Sequence, residues 1–238
     1  MAKPVLLNNV EHKDLRVITA RGAQYGDSQM AVVAALNEFR DLQACFPIVF
    51  HQTSNGGMGY EPLALMGFQD GENLFLKGDR WDAPYVPLML ERQPFLIGVN
   101  PDGELMVHID VENPRVSTVD GTPVFKEHGG NSEFLDYRNS MLAAIHQGMQ
   151  AMPAFIAALT KFQLLESFVL DIELNDGSQN RLAGFYTINE EKLGALGAEA
   201  LGELHQAGHL TAIFMAVASL SNFRHLIDRK NALLPPAQ

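Results

Sequence analysis

The chain has 238 residues, 47% of them hydrophobic and 19% charged, which is an ordinary composition for a globular protein. Its 28 acidic and 17 basic residues give a formal net charge of −11 at pH 7. Such a surface repels phosphate backbones and anionic lipid headgroups. We therefore expect no nucleic-acid partner and no membrane insertion.

Cysteine content and apolar runs indicate the compartment. Cys45 is the only cysteine, which excludes an intramolecular disulfide framework and a multi-cysteine zinc site. Its apolar neighbours predict a buried thiol. No secretory signal is visible, and the apolar run at 210–220 is shorter than the ~20 residues that span a bilayer. We expect a soluble, cytoplasmic protein.

The first third of the chain predicts alternating strands and a short helix. Residues 31–35 form an apolar strand pattern, Asn37 is placed to cap a short helix, and Pro47 precedes the strand pattern IVFHQ. The segment TSNGGMG at 53–59 predicts a flexible loop. Beyond it, PLALMGF and NLFL flank an Asp-Gly turn signal and predict an antiparallel meander.

Two hairpins are predicted further along. Residues 94–117 contain two strand patterns about a turn at 100–103, with proline at its second position and glycine at its fourth. The second hairpin alternates apolar and polar residues over 168–174, turns at Asp176-Gly177 and returns as RLAGFYTI.

Helical patterns dominate the rest of the chain. Ser132 is placed to cap a helix, and Pro153 is expected to interrupt it. Asn189 is placed to cap another, and further helices are predicted at about 197–207 and 222–227, with LTAIFMAVA as a buried strand between them. We expect an α+β fold with largely antiparallel hairpins, organised as one domain over 1–238 with a soft boundary near 117–131.

His108 and Asp110 form the clearest candidate for metal chemistry. Strand alternation directs both side chains to one face, and His-x-Asp resembles two ligands of an iron(II) site built from two histidines and one carboxylate. The third ligand is open among His128, His146, His205 and His209. We select His128 because its glycine-rich loop can approach a site closely. The alternative is a polar strand face in water.

Trp81, Arg80 and Tyr85 form the candidate ligand-binding set. A tryptophan and a tyrosine in a proline-rich crossing segment can provide an aromatic wall with a charged rim. The alternative is that Trp81 anchors this segment onto the core.

Phrases along nearly the whole chain resemble the SapC family. They are VLLNNVEHKDLRV, FPIVF, ENLFL, WDAPYVPLMLERQPFLIG, MVHID with ENPRVS, LDIELNDGSQNRLAGFYTINEEKL and FMAVASLSNFRHLIDRKN. The family takes its name from a protein associated with bacterial surface-layer proteins, and some relatives are labelled transporter components. No established catalytic residue of the family carries over.

The resemblance implies a bacterial protein. Its relatives are often encoded near TonB-dependent receptors, flavin-dependent tryptophan-halogenase-like proteins and cupin-like oxygenases. This implies an accessory or binding protein, acting on a small molecule or peptide, or with a protein partner, in modification or TonB-linked uptake. We expect it to need no cofactor. Two alternatives stay open: an iron(II) oxygenase-like enzyme using His108, Asp110 and a distal histidine, and a surface-layer structural protein.

Overall fold

A computed structural model describes residues 3–53 and 59–234 of the chain. The predicted flexible loop at 53–59 lies almost wholly outside this part. The described strands are Pro4–Leu6 (β1), Arg16–Val17 (β2), Ala31–Val33 (β3), Ile48–Gln52 (β4), Tyr60–Leu65 (β5), Leu76–Lys77 (β6), Arg80–Trp81 (β7), Phe95–Val99 (β8), Leu105–Asp110 (β9), Val116–Ser117 (β10), Thr122–Pro123 (β11), Leu165–Glu173 (β12) and Gln179–Ile188 (β13).

The helices of the described part follow two short 3₁₀ turns, at Ala23–Tyr25 and Leu36–Glu38. They are Phe39–Leu42 (α1), Leu88–Glu91 (α2), Glu133–Lys161 (α3), Glu190–Gly194 (α4), Ala198–Gln206 (α5), His209–Ser219 (α6) and Asn222–Asn231 (α7). Strands and helices are interleaved and the strand pairs are antiparallel, so the predicted α+β class with largely antiparallel hairpins is confirmed.

The largest sheet has five strands in the order β12-β13-β4-β5-β3. Two three-stranded sheets, β1-β9-β8 and β10-β2-β11, come from the first half of the chain, and β6 pairs with β7. The segment proposed as a soft boundary, 117–131, supplies β11, which pairs with β2, and the bridge between Phe125 and Asn131.

Both predicted hairpins are present. In the first, Gly103 N donates to Asn100 O at 3.0 Å, and β8 and β9 pair from Val99↔Leu105 to Phe95↔Ile109. In the second, the register shifts between the pairs Phe168↔Phe185 and Leu170↔Leu182, so β13 carries one extra residue there. Gly184 has φ +84° at this bulge, a conformation that glycine adopts without strain.

Helix α3 begins where the sequence predicts and continues past the expected interruption. The Ser132 hydroxyl oxygen accepts a hydrogen bond from Leu135 N at 3.2 Å, which caps the helix. Pro153 lies inside the 29-residue helix, so the prediction of a break there is wrong. Met152 and Phe155 on either side are fully buried, and their packing offsets the loss of one helical hydrogen bond at the exposed proline.

Residues 210–218, predicted as a buried strand, lie in helix α6. Its buried residues Ala212, Ile213, Ala216 and Ser219 recur at helical spacing. Ser219 Oγ donates to Ala216 O at 2.6 Å and accepts from Ile48 N at 2.9 Å, which fixes α6 against β4. An apolar run alone does not distinguish a buried strand from a buried helix.

Asn37 does not cap α1. It lies within the 3₁₀ turn before that helix, and its Nδ2 donates to Ala144 O of α3 at 2.9 Å. The next residue, Glu38, is the N-cap residue of α1 but makes no side-chain capping bond to it; its carboxylate accepts instead from Ala35 N at 2.8 Å, at the start of the 3₁₀ turn.

Two clusters of buried hydrophobic residues form the interior, and α3 contributes to both. Leu135 and Leu142 belong to the smaller cluster, whereas Met152, Phe155 and other later residues belong to the larger one. At 29 residues, α3 is about 43 Å long, enough to cross both. The single-domain organisation over 1–238 stays a prediction that this shared helix supports.

In the part of the chain that the structure describes, two helical stretches are long and apolar enough to cross a membrane by length and composition alone, Glu133–Lys161 and His209–Asn231. Core helices of water-soluble proteins pass the same test, and both stretches supply buried residues to the larger cluster. These helices are weak grounds for any statement about location.

Candidate functional site

His108 and Asp110 lie on one face of β9, as strand alternation predicts. The His108 ring packs over the neighbouring strand: a Cβ added at Gly98 would lie 3.0 Å from its Cε1. Asp110 Oδ1 accepts hydrogen bonds from Lys3 N at 2.8 Å and Glu112 N at 3.2 Å. The carboxylate therefore ties the backbone just before β1 to the backbone just after β9, at one end of the pair.

His128 lies in an exposed turn between β11 and α3. Within residues 3–53 and 59–234, no group of three or more histidine, cysteine, aspartate or glutamate side chains is arranged to hold a metal ion. The structure thus does not bring His128 to His108 and Asp110 as a ligand set. The arrangement of His108 and Asp110 agrees with the polar strand face that was the alternative.

Trp81 and Tyr85 fasten the crossing segment to the core. Trp81 Nε1 donates to Tyr85 O at 2.8 Å, and its ring stacks on Phe75 with centroids 6.2 Å apart. The Tyr85 hydroxyl donates to Glu38 Oε2 at 3.0 Å. Both polar tips have protein partners, which is the arrangement expected of anchoring residues.

Arg80 points away from these aromatics into solvent. Its side chain is 72% exposed and lies 3.7 Å from Asp82 Oδ1. Asp82 is held more closely by Lys77 at 2.7 Å and Arg229 at 2.8 Å, and these hydrogen bonds lower its pKa to about 2. Arg80 is thus the outermost member of a surface charge group.

Glu38 is a buried carboxylate with three hydrogen-bond donors. Besides Ala35 N and the Tyr85 hydroxyl, it accepts from Leu88 N at 3.0 Å. Burial raises its pKa, although the backbone hydrogen bonds act in the opposite direction. Burial also raises the pKa of Tyr85, and the adjacent Glu38 charge adds to the increase. Glu38 therefore ties three segments together: the 3₁₀ turn, the crossing segment and α2.

A second group of buried charges joins segments of the two hydrophobic clusters. Arg115 Nη2 lies 2.7 Å from Asp27 Oδ1, and Arg138 Nη1 lies 2.6 Å from Glu91 Oε1. Arg21 contacts both carboxylates. Burial lowers the pKa of Arg21 and Arg138, but arginine stays protonated at neutral pH. We interpret these pairs as structural, because each charged group contacts an oppositely charged partner from a different segment of the chain.

One feature of the described residues that is suited to a ligand is a cleft between the 3₁₀ turn with α1 on one side and α3 and α6 on the other. Its volume is about 340 Å³. The residues that line it are Leu36, Asn37, Phe39, Arg40, Gln147, Gly148, Ala151, Gly208, Thr211, Ala212 and Met215. We call it the α3/α6 cleft. Small-molecule sites combine such an apolar lining with a few polar groups.

Gly148 permits the close approach that forms one wall of the cleft. A Cβ on Gly148 would lie 2.4 Å from Asn37 Oδ1 and 2.9 Å from the Cβ of Ala35. A side chain there would push the 3₁₀ turn away from α3. The hydrogen bond from Asn37 to Ala144 O secures the same contact.

Other depressions have linings that suit a ligand less well. One of about 660 Å³ is bordered largely by charged residues, among them Lys13, Asp14, Arg16, Lys126 and Glu127. One of about 500 Å³ lies at the exposed end of the β12-β13 hairpin and includes Asp171, Glu173 and Arg181. Both linings carry several charges of opposite sign, whereas the lining of the α3/α6 cleft combines one charged residue with apolar and neutral polar ones.

Sequence reasoning missed the α3/α6 cleft. Its walls come from residues 36–40, 147–151 and 208–215, which are far apart in the chain and carry no motif. The signal that was available was the helical spacing of Gln147, Gly148 and Ala151, small or polar residues on one side of an otherwise apolar helix.

The fold and the cleft define an α+β protein with an opening of small-molecule size. The SapC family model matches residues 7–226. Because this match covers most of the 238 residues, the chain belongs to the SapC family. No curated protein and no solved structure matches it significantly.

Proposed function

We propose that this SapC family member is an accessory protein that binds a small molecule in the α3/α6 cleft. The observation that carries the proposal is the cleft itself: about 340 Å³, with apolar side chains around a few polar groups. Its volume falls in the range of roughly 300–1,000 Å³ that is typical of ligand sites.

The lining supports binding better than catalysis. Its members include no histidine, cysteine or carboxylate, the groups that most often act as acid, base or nucleophile. Gln147 and Thr211 supply neutral hydrogen-bonding groups, and Arg40 supplies a charge. We therefore place the role in holding or presenting a compound, in agreement with the accessory role in modification or TonB-linked uptake that family resemblance implies. A cytoplasmic location is part of this proposal.

A fluorescence titration with N-phenyl-1-naphthylamine, a neutral apolar probe, tests the proposal. The matched variants are Ala151→Trp, which fills the cleft from α3, and Gln150→Trp, which places the same ring on an exposed neighbouring position. We expect saturable binding to the wild type and to Gln150→Trp, and at least a tenfold loss of affinity in Ala151→Trp. Circular dichroism checks that both variants fold.

Two results would overturn the proposal. One is the absence of saturable binding to the wild type. The other is equal affinity of the wild type and Ala151→Trp, because the probe would then bind elsewhere on the surface.

A further inference from the structure

The charge at the rim of the α3/α6 cleft differs from the charge of the chain as a whole. The chain has a formal net charge of −11, yet among residues 3–53 and 59–234 Arg40 is the only charged one that lines the cleft. The neighbouring Asp41 is exposed and does not line it. The cleft is thus a locally cationic place on an acidic protein, where a negative group is favoured.

Arg40 is also free to bind a ligand. Among residues 3–53 and 59–234, no carboxylate lies within 4.0 Å of its guanidinium, and no hydrogen bond is formed by its side chain. By contrast, Arg21, Arg115, Arg138 and Arg229 all contact carboxylates. A guanidinium presents a planar set of donors that matches the two oxygens of a carboxylate or the oxygens of a sulfonate.

We infer that the α3/α6 cleft takes an organic monoanion, a compound whose apolar body lies against Phe39, Ala212 and Met215 and whose carboxylate or sulfonate pairs with Arg40. Gln147 and Thr211, which also line the cleft, supply neutral hydrogen-bonding groups for the same compound. This inference rests on the proposed function, because it names the chemical class of the compound that the cleft holds.

Two probes that differ only in their anionic group test the inference. 1-Anilinonaphthalene-8-sulfonate carries the same rings as N-phenyl-1-naphthylamine plus one sulfonate. Removing an exposed charge partner typically lowers affinity several-fold. Arg40→Gln should therefore weaken binding of the sulfonate probe roughly threefold to tenfold. Its affinity for the neutral probe should stay within about twofold of the wild-type value. Raising the salt concentration from about 0.1 M to about 1 M should weaken only sulfonate binding.

Arg224→Gln is the matched control. Arg224 is an exposed arginine on α7, outside the residues that line the cleft. We expect it to bind both probes as the wild type does.

The outcomes separate this inference from the proposed function. If Arg40→Gln binds both probes unchanged, or Arg224→Gln loses sulfonate binding equally, the anion assignment is wrong while the cleft remains a site for neutral compounds. If Ala151→Trp fails to weaken either probe, the proposed function fails and the inference fails with it.

Discussion

The Tyr85 hydroxyl donates a hydrogen bond to Glu38 Oε2 at 3.0 Å across 47 residues of sequence. Glu38 is 2% exposed, and its other two donors are the backbone amides of Ala35 and Leu88. The same turn supplies Asn37 to the lining of the α3/α6 cleft, and α1, which follows it directly, supplies Arg40. The pair therefore holds both the crossing segment and one wall of the cleft.

Changing Glu38 should destabilise the fold more than changing its tyrosine partner. Glu38→Ala leaves three donors without an acceptor, one of them buried and two partly buried, and we expect a loss of about 3–5 kcal/mol in the free energy of unfolding. Tyr85→Phe removes one donor, with an expected loss of about 1–2 kcal/mol. Urea denaturation measures both.

Matched controls are Glu173→Gln and Tyr137→Phe, at exposed positions. We expect each within about 0.5 kcal/mol of the wild type. A loss from Glu38→Ala no larger than that from Glu173→Gln would contradict the anchoring role.

The raised pKa of Glu38 predicts a pH dependence of stability. The folded state holds the proton more tightly than the unfolded state, so the contribution of Glu38 is greatest below about pH 4.3, the ordinary glutamate pKa, and is lost as pH rises through the raised folded pKa. Glu38→Gln lacks this titration. We expect the stability of the wild type relative to Glu38→Gln to fall as pH rises from about 4 to about 7. If the stability difference between the wild type and Glu38→Gln stays constant or increases with pH, the predicted pH dependence is wrong.

The buried Arg115–Asp27 pair predicts a large effect of removing one charge. Arg115 also donates to Ile18 O at 3.1 Å and Ala20 O at 2.7 Å, so Arg115→Met leaves Asp27 and these carbonyls with fewer donors. Breaking a buried ion pair typically costs about 3–5 kcal/mol. Chemical denaturation should give a loss in this range, with Lys13→Met, whose side chain is 71% exposed, near zero. If Arg115→Met lowers the free energy of unfolding by less than about 1 kcal/mol, the Arg115–Asp27 pair does not contribute substantially to stability.

Local patterns predicted the parts of the fold that depend on neighbouring residues. Alternation with an Asp-Gly turn predicted the second hairpin, because both signals act over a few residues. Ser132 and Asn189 were correctly placed as helix caps for the same reason. Residues 210–218 were misassigned because an apolar run without alternation fits a strand or a helix, and the contact of Ser219 with Ile48, outside the run, favours the helix.

The candidate site depends on contacts that no local pattern contains. Asn37 reaches Ala144 across 107 residues of sequence, and this contact helps to form the cleft. The sequence indicated that Trp81 and Tyr85 belong to one structured segment. It did not reveal that Glu38 accepts a hydrogen bond from the Tyr85 hydroxyl. His108 and Asp110 were correctly placed on one strand face, but the position of His128 depends on the tertiary fold.

Alanine substitution at two helical glycines should change the stability of the protein in opposite directions. Alanine is usually favoured over glycine in a helix by about 1 kcal/mol, and an added Cβ at Gly202 in α5 meets no atom within 4 Å. At Gly148 the Cβ would lie 2.9 Å from the Cβ of Ala35, which cannot move aside without shifting the backbone. We expect Gly202→Ala to stabilise the protein by about 0.5–1 kcal/mol and Gly148→Ala to destabilise it by about 1–2 kcal/mol.

Thermal and urea unfolding measure the change in stability of each variant. Titration with the neutral naphthylamine probe measures how well the cleft of each variant binds. Because a side chain at position 148 displaces Asn37 and the turn behind it, Gly148→Ala should also weaken probe binding, whereas Gly202→Ala should leave it unchanged. A stabilised Gly148→Ala that binds the probe as the wild type does would show that α3 and the 3₁₀ turn are not in close contact. The cleft would then need a different boundary from the one that Gly148 and Asn37 define.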